Sequence, residues 1–264
     1  KGKAMRNKLF LLIIGLLISS ILILFFVTFQ IQKDTITKLS KEQLNKNSTQ
    51  KIEYFNDFIT HRKVLLNSVT VNKNFINYVK NKEGQENIEN IFLSYALTHK
   101  DIFQFRYLDR NGNEIIRVDN YDKPILVNKE HLQNKKSRYY FKDTIKLKKN
   151  EYFYSNIDLN VEKGKIQEPI IPTIRIATPV IIDNINYGII IININLEELL
   201  LYLQDSHLHY VNLIYDDAEI IVNKYKNYNW SRDYKLENNI YTLFPNLPKN
   251  FNEFNLIETK EFYI

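Results

Sequence analysis

Arg138 stands directly before three consecutive aromatic residues, Tyr139, Tyr140 and Phe141. A guanidinium presents a fixed fork of donors that matches a carboxylate, and ring faces can wall the space around it. The same string also reads as an amphipathic helix whose rings pack inward while Arg138 meets water, and both readings stay open. Arg175 is the second cation of interest. Strand alternation over Thr173–Ala177 puts Ile174 and Ile176 on one face. Arg175 shares the other face with Thr173 and Ala177, small neighbours that leave room. Two arginines converging from a helix and a strand suit an anionic or zwitterionic ligand. Asp158 could take that ligand's ammonium group or close an ion pair with Arg175. Tyr107, with Arg106 and Arg117, forms a further candidate group on a neighbouring hairpin, against the common case of exposed strand charges.

Other chemistries find little support. The chain has no cysteine, which removes thiolate metal sites, iron–sulfur clusters, disulfides and thiol catalysis together. No phosphate loop, nucleophile elbow or paired-carboxylate motif is present, so neither an enzyme nor a cofactor is expected. His61, His99 and His131 are isolated, and His207-Leu208-His209 is a weak metal signal at most, so no metal site is expected. Asp109-Arg110-Asn111-Gly112-Asn113 has its glycine too early for a calcium loop and lacks the distal Glu, which leaves a hairpin turn. The formal charge of +6 comes from 36 basic and 30 acidic residues. Lys1, Lys3, Arg6 and Lys8 supply +4 of it, so residues 9–264 carry only +2 and no nucleic-acid partner is expected.

The elements that must position these residues follow from periodicity. Leu9 to Phe29 contains no ionisable residue, and its 21 positions span about 31 Å as a helix, the thickness of a bilayer core. No small-x-small cleavage site follows it, so it reads as an uncleaved anchor. The preceding basic residues place the N-terminus in the cytoplasm and everything beyond residue 30 outside. No Gly or Pro occurs between Gly15 and Gly84, and Ile52, Phe55, Ile59, Arg62 and Leu66 recur at helical spacing. A long stalk helix over 30–80 is predicted, with a break near Asn67–Asn74. Strand, turn, strand follows around Asp109–Asn113, then a short helix within Ser137–Leu147, a short strand at Tyr152–Ser155 and a loop over Asp158–Pro172. A second hairpin joins Thr173–Ile182 to Tyr187–Asn195, ahead of a helix over Leu196–Gln204. Sequential hairpins without βαβ alternation indicate an α+β fold with one antiparallel sheet. Ile214 to Ile221 repeats the pattern of Tyr107 to Ile116 with a shorter turn, which suggests a second, smaller module from about residue 205. The chain stops at Glu261–Ile264 without a turn or tail signal and is expected to be part of a longer protein.

The strings FRYLDRNGNEIIRVDN (105–120), SRYYFKDTIKLKKNEYFYSNIDLNVEKGKIQEPIIPTIRIATPV (137–180) and YGIIIININ resemble the extracytoplasmic double-Cache sensor domain of bacterial transmembrane receptors. VNLIYDDAEIIVNKYKNYNW resembles the start of that family's membrane-proximal module. The resemblance covers roughly residues 30–260. It implies two PAS-like modules along a long N-terminal helix, with a small molecule bound in the membrane-distal one. Together with the apolar segment and its flanking charges, this gives a cytoplasmic 1–8, a transmembrane 9–29, a stalk 30–80, a ligand-binding module 81–204 and a membrane-proximal module 205–264. Many amino-acid-binding members carry Arg-x-Trp-Tyr in the helix over the pocket. Arg138-Tyr139-Tyr140-Phe141 sits there with Tyr140 in place of Trp and Phe141 in place of Tyr, a departure that touches amino-acid specificity.

The expected function is sensory: a ligand such as an amino acid or carboxylate biases a helix arrangement, and the shift crosses the inner membrane to a cytoplasmic output. The expected ligand-binding residues are Arg138, Tyr140, Phe141, Asp158, Arg175 and Tyr107. A homodimer through the long helix is expected. The alternative is a membrane-anchored dimerisation or scaffold module without a small-molecule ligand.

Overall fold

The computed structural model describes residues 2–162, 164–206, 210–245 and 247. Helix α1 (Gly2–Thr70) holds no proline and no glycine after Gly15, so it runs unbroken until Asn72 takes an extended conformation. There the Asn72 carboxamide accepts from the Asn74 and Phe75 N–H groups and caps the next helix, α2 (Lys73–Asn81). The stalk is therefore interrupted at Val71-Asn72, within the Asn67–Asn74 stretch where a break is expected, and α2 carries helix on to Asn81.

The described residues fall into two compact units, residues 2–52 and Glu53–Leu247. The first is helix alone. It holds a helical stretch long and apolar enough to cross a membrane, with mean hydropathy 3.1 and none of it buried. The three hydroxyls within residues 9–29 are internally satisfied. Ser19 donates to the Leu16 carbonyl at 2.9 Å, Ser20 to Leu17 at 2.8 Å and Thr28 to Leu24 at 2.8 Å, which suits a medium that offers no partner.

The second unit is built on one antiparallel sheet. After α3 (Gln85–Thr98) come β1 (Ile102–Asp109), β2 (Glu114–Asn120) and β3 (Pro124–Leu126), then α4 (Tyr139–Thr144). The short strands β4 (Phe153–Tyr154), β5 (Asp158–Leu159), β6 (Val161–Glu162) and β7 (Lys165–Ile166) precede the long pair β8 (Pro172–Ile182) and β9 (Ile185–Asn195). The sheet order is β3-β2-β1-β9-β8-β4, and β5 also pairs with β8. Residues 158–172, expected as loop, thus contribute an edge strand and a small β6–β7 ribbon. Their two-residue pairings are too short to carry a readable alternation.

Turn chemistry sets the registers. Asp183 and Asn184 both have positive φ (49° and 63°), the geometry of a tight hairpin turn between β8 and β9. At Gly188, φ is +133° and an added Cβ would lie 2.0 Å from the Leu108 carbonyl oxygen, so only glycine lets β1 and β9 meet there.

One face of the sheet is covered by α1, α2 and α3. Leu66, Val69, Phe75, Ile88 and Phe92 from the helices meet Phe105, Tyr107, Ile116, Ile176, Ile190 and Ile192 from the strands in one buried cluster. Phe92 stacks on Phe105 at 4.3 Å between centroids, and Phe75 meets Tyr107 edge-on at 5.2 Å. Arg62 of α1 pairs with Asp101 just before β1 and ties helix to sheet.

Past α5 (Glu197–Gln204), β10 (Leu213–Ile214) and β11 (Ile220–Val222) form the second hairpin, followed by α6 (Ile240–Leu243). Both copies of the sequence repeat are hairpins. Tyr215, Ile221, Val222 and Trp230 join the same apolar cluster as the main sheet. His207-Leu208-His209 and residues 248–264 lie outside the described residues.

Candidate ligand-binding site

The other face of the sheet is polar at its centre. Register places Asp119, Gln104, Asn193 and Arg175 side by side across β2, β1, β9 and β8. Arg117, Arg106, Ile191, Ala177 and Phe153 form the adjacent row. Over these rows lies α4, whose Tyr140 and Phe141 pack on Leu108, Ala177, Ile189 and Ile191.

Arg106 is 3% exposed. It donates to the Asn193 carboxamide oxygen at 2.6 Å, to the Tyr140 hydroxyl at 3.4 Å and to Glu114 at 3.5 Å, and its Nε has no acceptor. Its guanidinium carbon lies 5.5 Å from the centre of the Tyr140 ring. Asn193 passes the contact on by donating to Gln104 at 2.9 Å. Arg117 is committed elsewhere, with two bonds of 2.8 Å to Asp119.

Arg175 donates to Asp158 at 2.7 Å and to Asn160 at 3.5 Å. Burial pushes the Asp158 carboxyl above the usual carboxylate range, and the opposing pull of Arg175 does not cancel it. Burial works against the Arg175 charge, yet Asp158, Tyr139 and Tyr140 together raise it above its ordinary value. A balanced pair would shift its two members in opposite directions. Here both move up, so Asp158 gains less from the pairing than burial costs it. Burial likewise raises the half-exposed Tyr139 hydroxyl, against the pull of Arg175.

Of the residues expected at the site, Tyr140, Phe141, Asp158 and Arg175 share this face. Arg138 caps the start of α4 and is exposed, without a side-chain hydrogen bond or ion pair among the described residues. Tyr107 sits on the opposite face, where it is buried against the helices and its hydroxyl donates to the Tyr187 carbonyl at 3.0 Å. The cause is strand parity: Arg106 and Leu108 point toward α4, so Tyr107 cannot. Gln104, Asn193 and Glu114 were not foreseen. The available signal was Asn193, a polar residue set into the otherwise apolar stretch Ile189–Ile194. A shallow cavity of about 400 Å³ lined by Gln85, Asn113, Ile115, Lys129, Leu132, Gln133 and Asn134 lies beyond the β2 edge and shares only Glu114 with this face. Among the described residues no cluster of acids and histidines could hold a metal ion.

A polar, partly charged sheet face thus lies under a short aromatic helix. The family "bacterial histidine kinase, sensor domain" matches residues 34–259. The chain belongs to this family. The matched segment is therefore a sensor domain. Solved structures show the same fold. The extracellular domain of a protein described as a histidine kinase, vpHK1S-Z8, aligns with TM-score 0.63 and 21% identity, over 79% of this chain and 76% of that one. The ligand-binding domain of the Pseudomonas aeruginosa PAO1 amino-acid chemoreceptor PctC, in complex with GABA, aligns at TM-score 0.57 and 12% identity over 82% and 87%. That of the Pseudomonas fluorescens chemoreceptor CtaA, in complex with L-serine, aligns at TM-score 0.53 and 14% identity over 78% and 78%. No curated protein matches the chain in sequence. The Cache-like architecture expected from the sequence is thus the architecture of the family.

Proposed function

We propose that this sensor domain binds a small anionic or zwitterionic molecule, an amino acid or a carboxylate, between α4 and the polar face of the sheet. The observation that carries the reading is two buried guanidiniums, Arg106 and Arg175, on one sheet face beneath aromatic residues, one of them with an unused donor. A buried cation seeks a full set of acceptors, and a carboxylate supplies them at low cost. An amino acid would set its carboxylate on the arginines and its ammonium on Asp158, replacing the internal Asp158–Arg175 pair. Tyr140 and Phe141 would form the apolar wall, and Arg138 at the exposed start of α4 would steer the anion inward. The relatives solved with L-serine and GABA support this ligand class.

In this reading residues 9–29 anchor the chain in the inner membrane with residues 1–8 cytoplasmic, and the sensor domain lies outside. Residues 81–204 form the ligand module and 205–264 the membrane-proximal one. The chain pairs with a second copy along α1, and ligand biases one helix arrangement over another. The competing scaffold reading draws on the Asp158–Arg175 pair, which is closed at 2.7 Å by protein groups alone.

A thermal-shift screen of the whole chain in detergent micelles against amino acids, carboxylates and amines separates the two. The sensor reading expects at least one compound to raise the unfolding temperature, with a weaker response in Arg138→Ala. A flat screen with dimerisation intact supports the scaffold.

A further inference from the structure

Ile157, Asp158 and Leu159 are held from two sides by different parts of the molecule. Toward the site, the Asp158 carboxylate meets Arg175 at 2.7 Å. Away from it, the Leu159 N–H donates to the Asp233 carboxylate at 2.9 Å, and the Ile157 carbonyl accepts from the Tyr215 hydroxyl. Edge geometry explains the alternation. β5 pairs with β8 on one side only, through Asp158 opposite Thr173 and Leu159 opposite Pro172, so its outward N–H and C=O groups need other partners. Two side chains from the second hairpin region supply them.

Those side chains are themselves fixed. The Arg232 guanidinium lies 3.7 Å from the centre of the Tyr215 ring and is tied to Glu219 and Asp217 at 2.6 Å each. Asp233 follows directly in sequence, and its second carboxylate oxygen is buried without a partner. A carboxylate that leaves one oxygen unsatisfied in order to hold a backbone N–H is set by position rather than by its own hydrogen-bonding optimum.

We propose that Asp233 and Tyr215 are positioning residues that couple the Asp158 carboxylate to the second hairpin through the backbone of β5. A ligand that draws Asp158 away from Arg175 would shift Ile157 and Leu159, and with them the hairpin. Its meaning as a signalling relay rests on the ligand-site reading above, but the mechanical coupling exists without ligand and is measured without it. Failure of the ligand screen and failure of this coupling are therefore separate results.

The test is a mutant cycle on the whole chain in detergent micelles. Hydrogen–deuterium exchange over residues 213–222 and the emission of Trp230, the only tryptophan, report on the hairpin. Asp158→Asn alone is expected to change exchange there by about 3-fold or more. In the Tyr215→Phe/Asp233→Ala background, which removes both side-chain partners of β5, the same change is expected to have almost no effect, while the Asp109–Asn113 turn stays constant in every variant. Asp158→Glu, which keeps the charge and alters only its reach, should move the hairpin in the same way and guards against simple unfolding. The proposal is overturned if folded Asp158→Asn and Asp158→Glu leave the hairpin unchanged, or if the effects multiply as independent factors.

Discussion

Toward α1, α2 and α3, the central strands present Phe105, Tyr107, Ile174, Ile176, Ile190 and Ile192; toward α4, the same strands present Gln104, Arg106, Arg175 and Asn193. Both sets are buried. The first follows from burial of apolar surface, at about 25 cal/mol per Å² removed from water, and asks only for shape. The second has to satisfy buried charges, which costs stability unless every partner is present, and such residues persist where they recognise something. One sheet thus separates the face that makes the domain fold from the face proposed to bind.

Variants on the two faces should part accordingly. The largest loss is expected on the helix side: Phe92→Ala removes a ring stacked at 4.3 Å on Phe105 and should cost about 3–5 kcal/mol in urea unfolding. Gly188→Ala comes next, at about 2–3 kcal/mol, because the new methyl meets the Leu108 carbonyl and the strands must part. A normal midpoint for that variant would mean that β1 and β9 approach less closely than described.

On the α4 side the effects on stability should be smaller. Arg175→Gln leaves Asp158 without its cation, yet that carboxylate keeps some solvent contact, so about 1–2 kcal/mol is expected by the same measurement. The smallest effect is one of pH. Burial raises the folded-state value of Asp158, so the contribution of this group to stability is complete below about pH 4, the ordinary Asp range, and is lost as pH rises through the folded value. Asp158→Asn does not titrate. Its stability relative to the parent should therefore improve as pH is raised from about 3.5 to 6.5, and a constant difference would sharpen the picture toward a well-compensated pair.

The helix-side face was the more legible in sequence because its elements carry strong periods. The turn at Asp109–Asn113 and the alternation in Thr173–Ala177 read directly, and the β8–β9 turn reads as Asp183–Asn186 where the structure closes it at Asp183–Asn184. The site was legible only where a residue type was unusual for its setting, as with Arg175 in an apolar strand. The alternation in this hairpin separates Tyr107 from Arg106 but does not say which parity faces α4, so the placement of Tyr107 is not legible from sequence. Asn193 and Gln104 were missed because their meaning lies in cross-strand register, which relates residues 89 positions apart. β5 was missed because two residues carry no period, although their backbone is where the second hairpin takes hold.

Calorimetric titration of the whole chain with the best compound from the screen, set beside Arg175→Gln and the opposite-face control Tyr107→Phe, bears most directly on the assignment of the ligand to the α4 side. Arg175→Gln should lose binding by about tenfold or more while remaining folded, and Tyr107→Phe should bind as the parent does even if it unfolds more easily. Unchanged affinity in Arg175→Gln, or a loss confined to Tyr107→Phe, would contradict it.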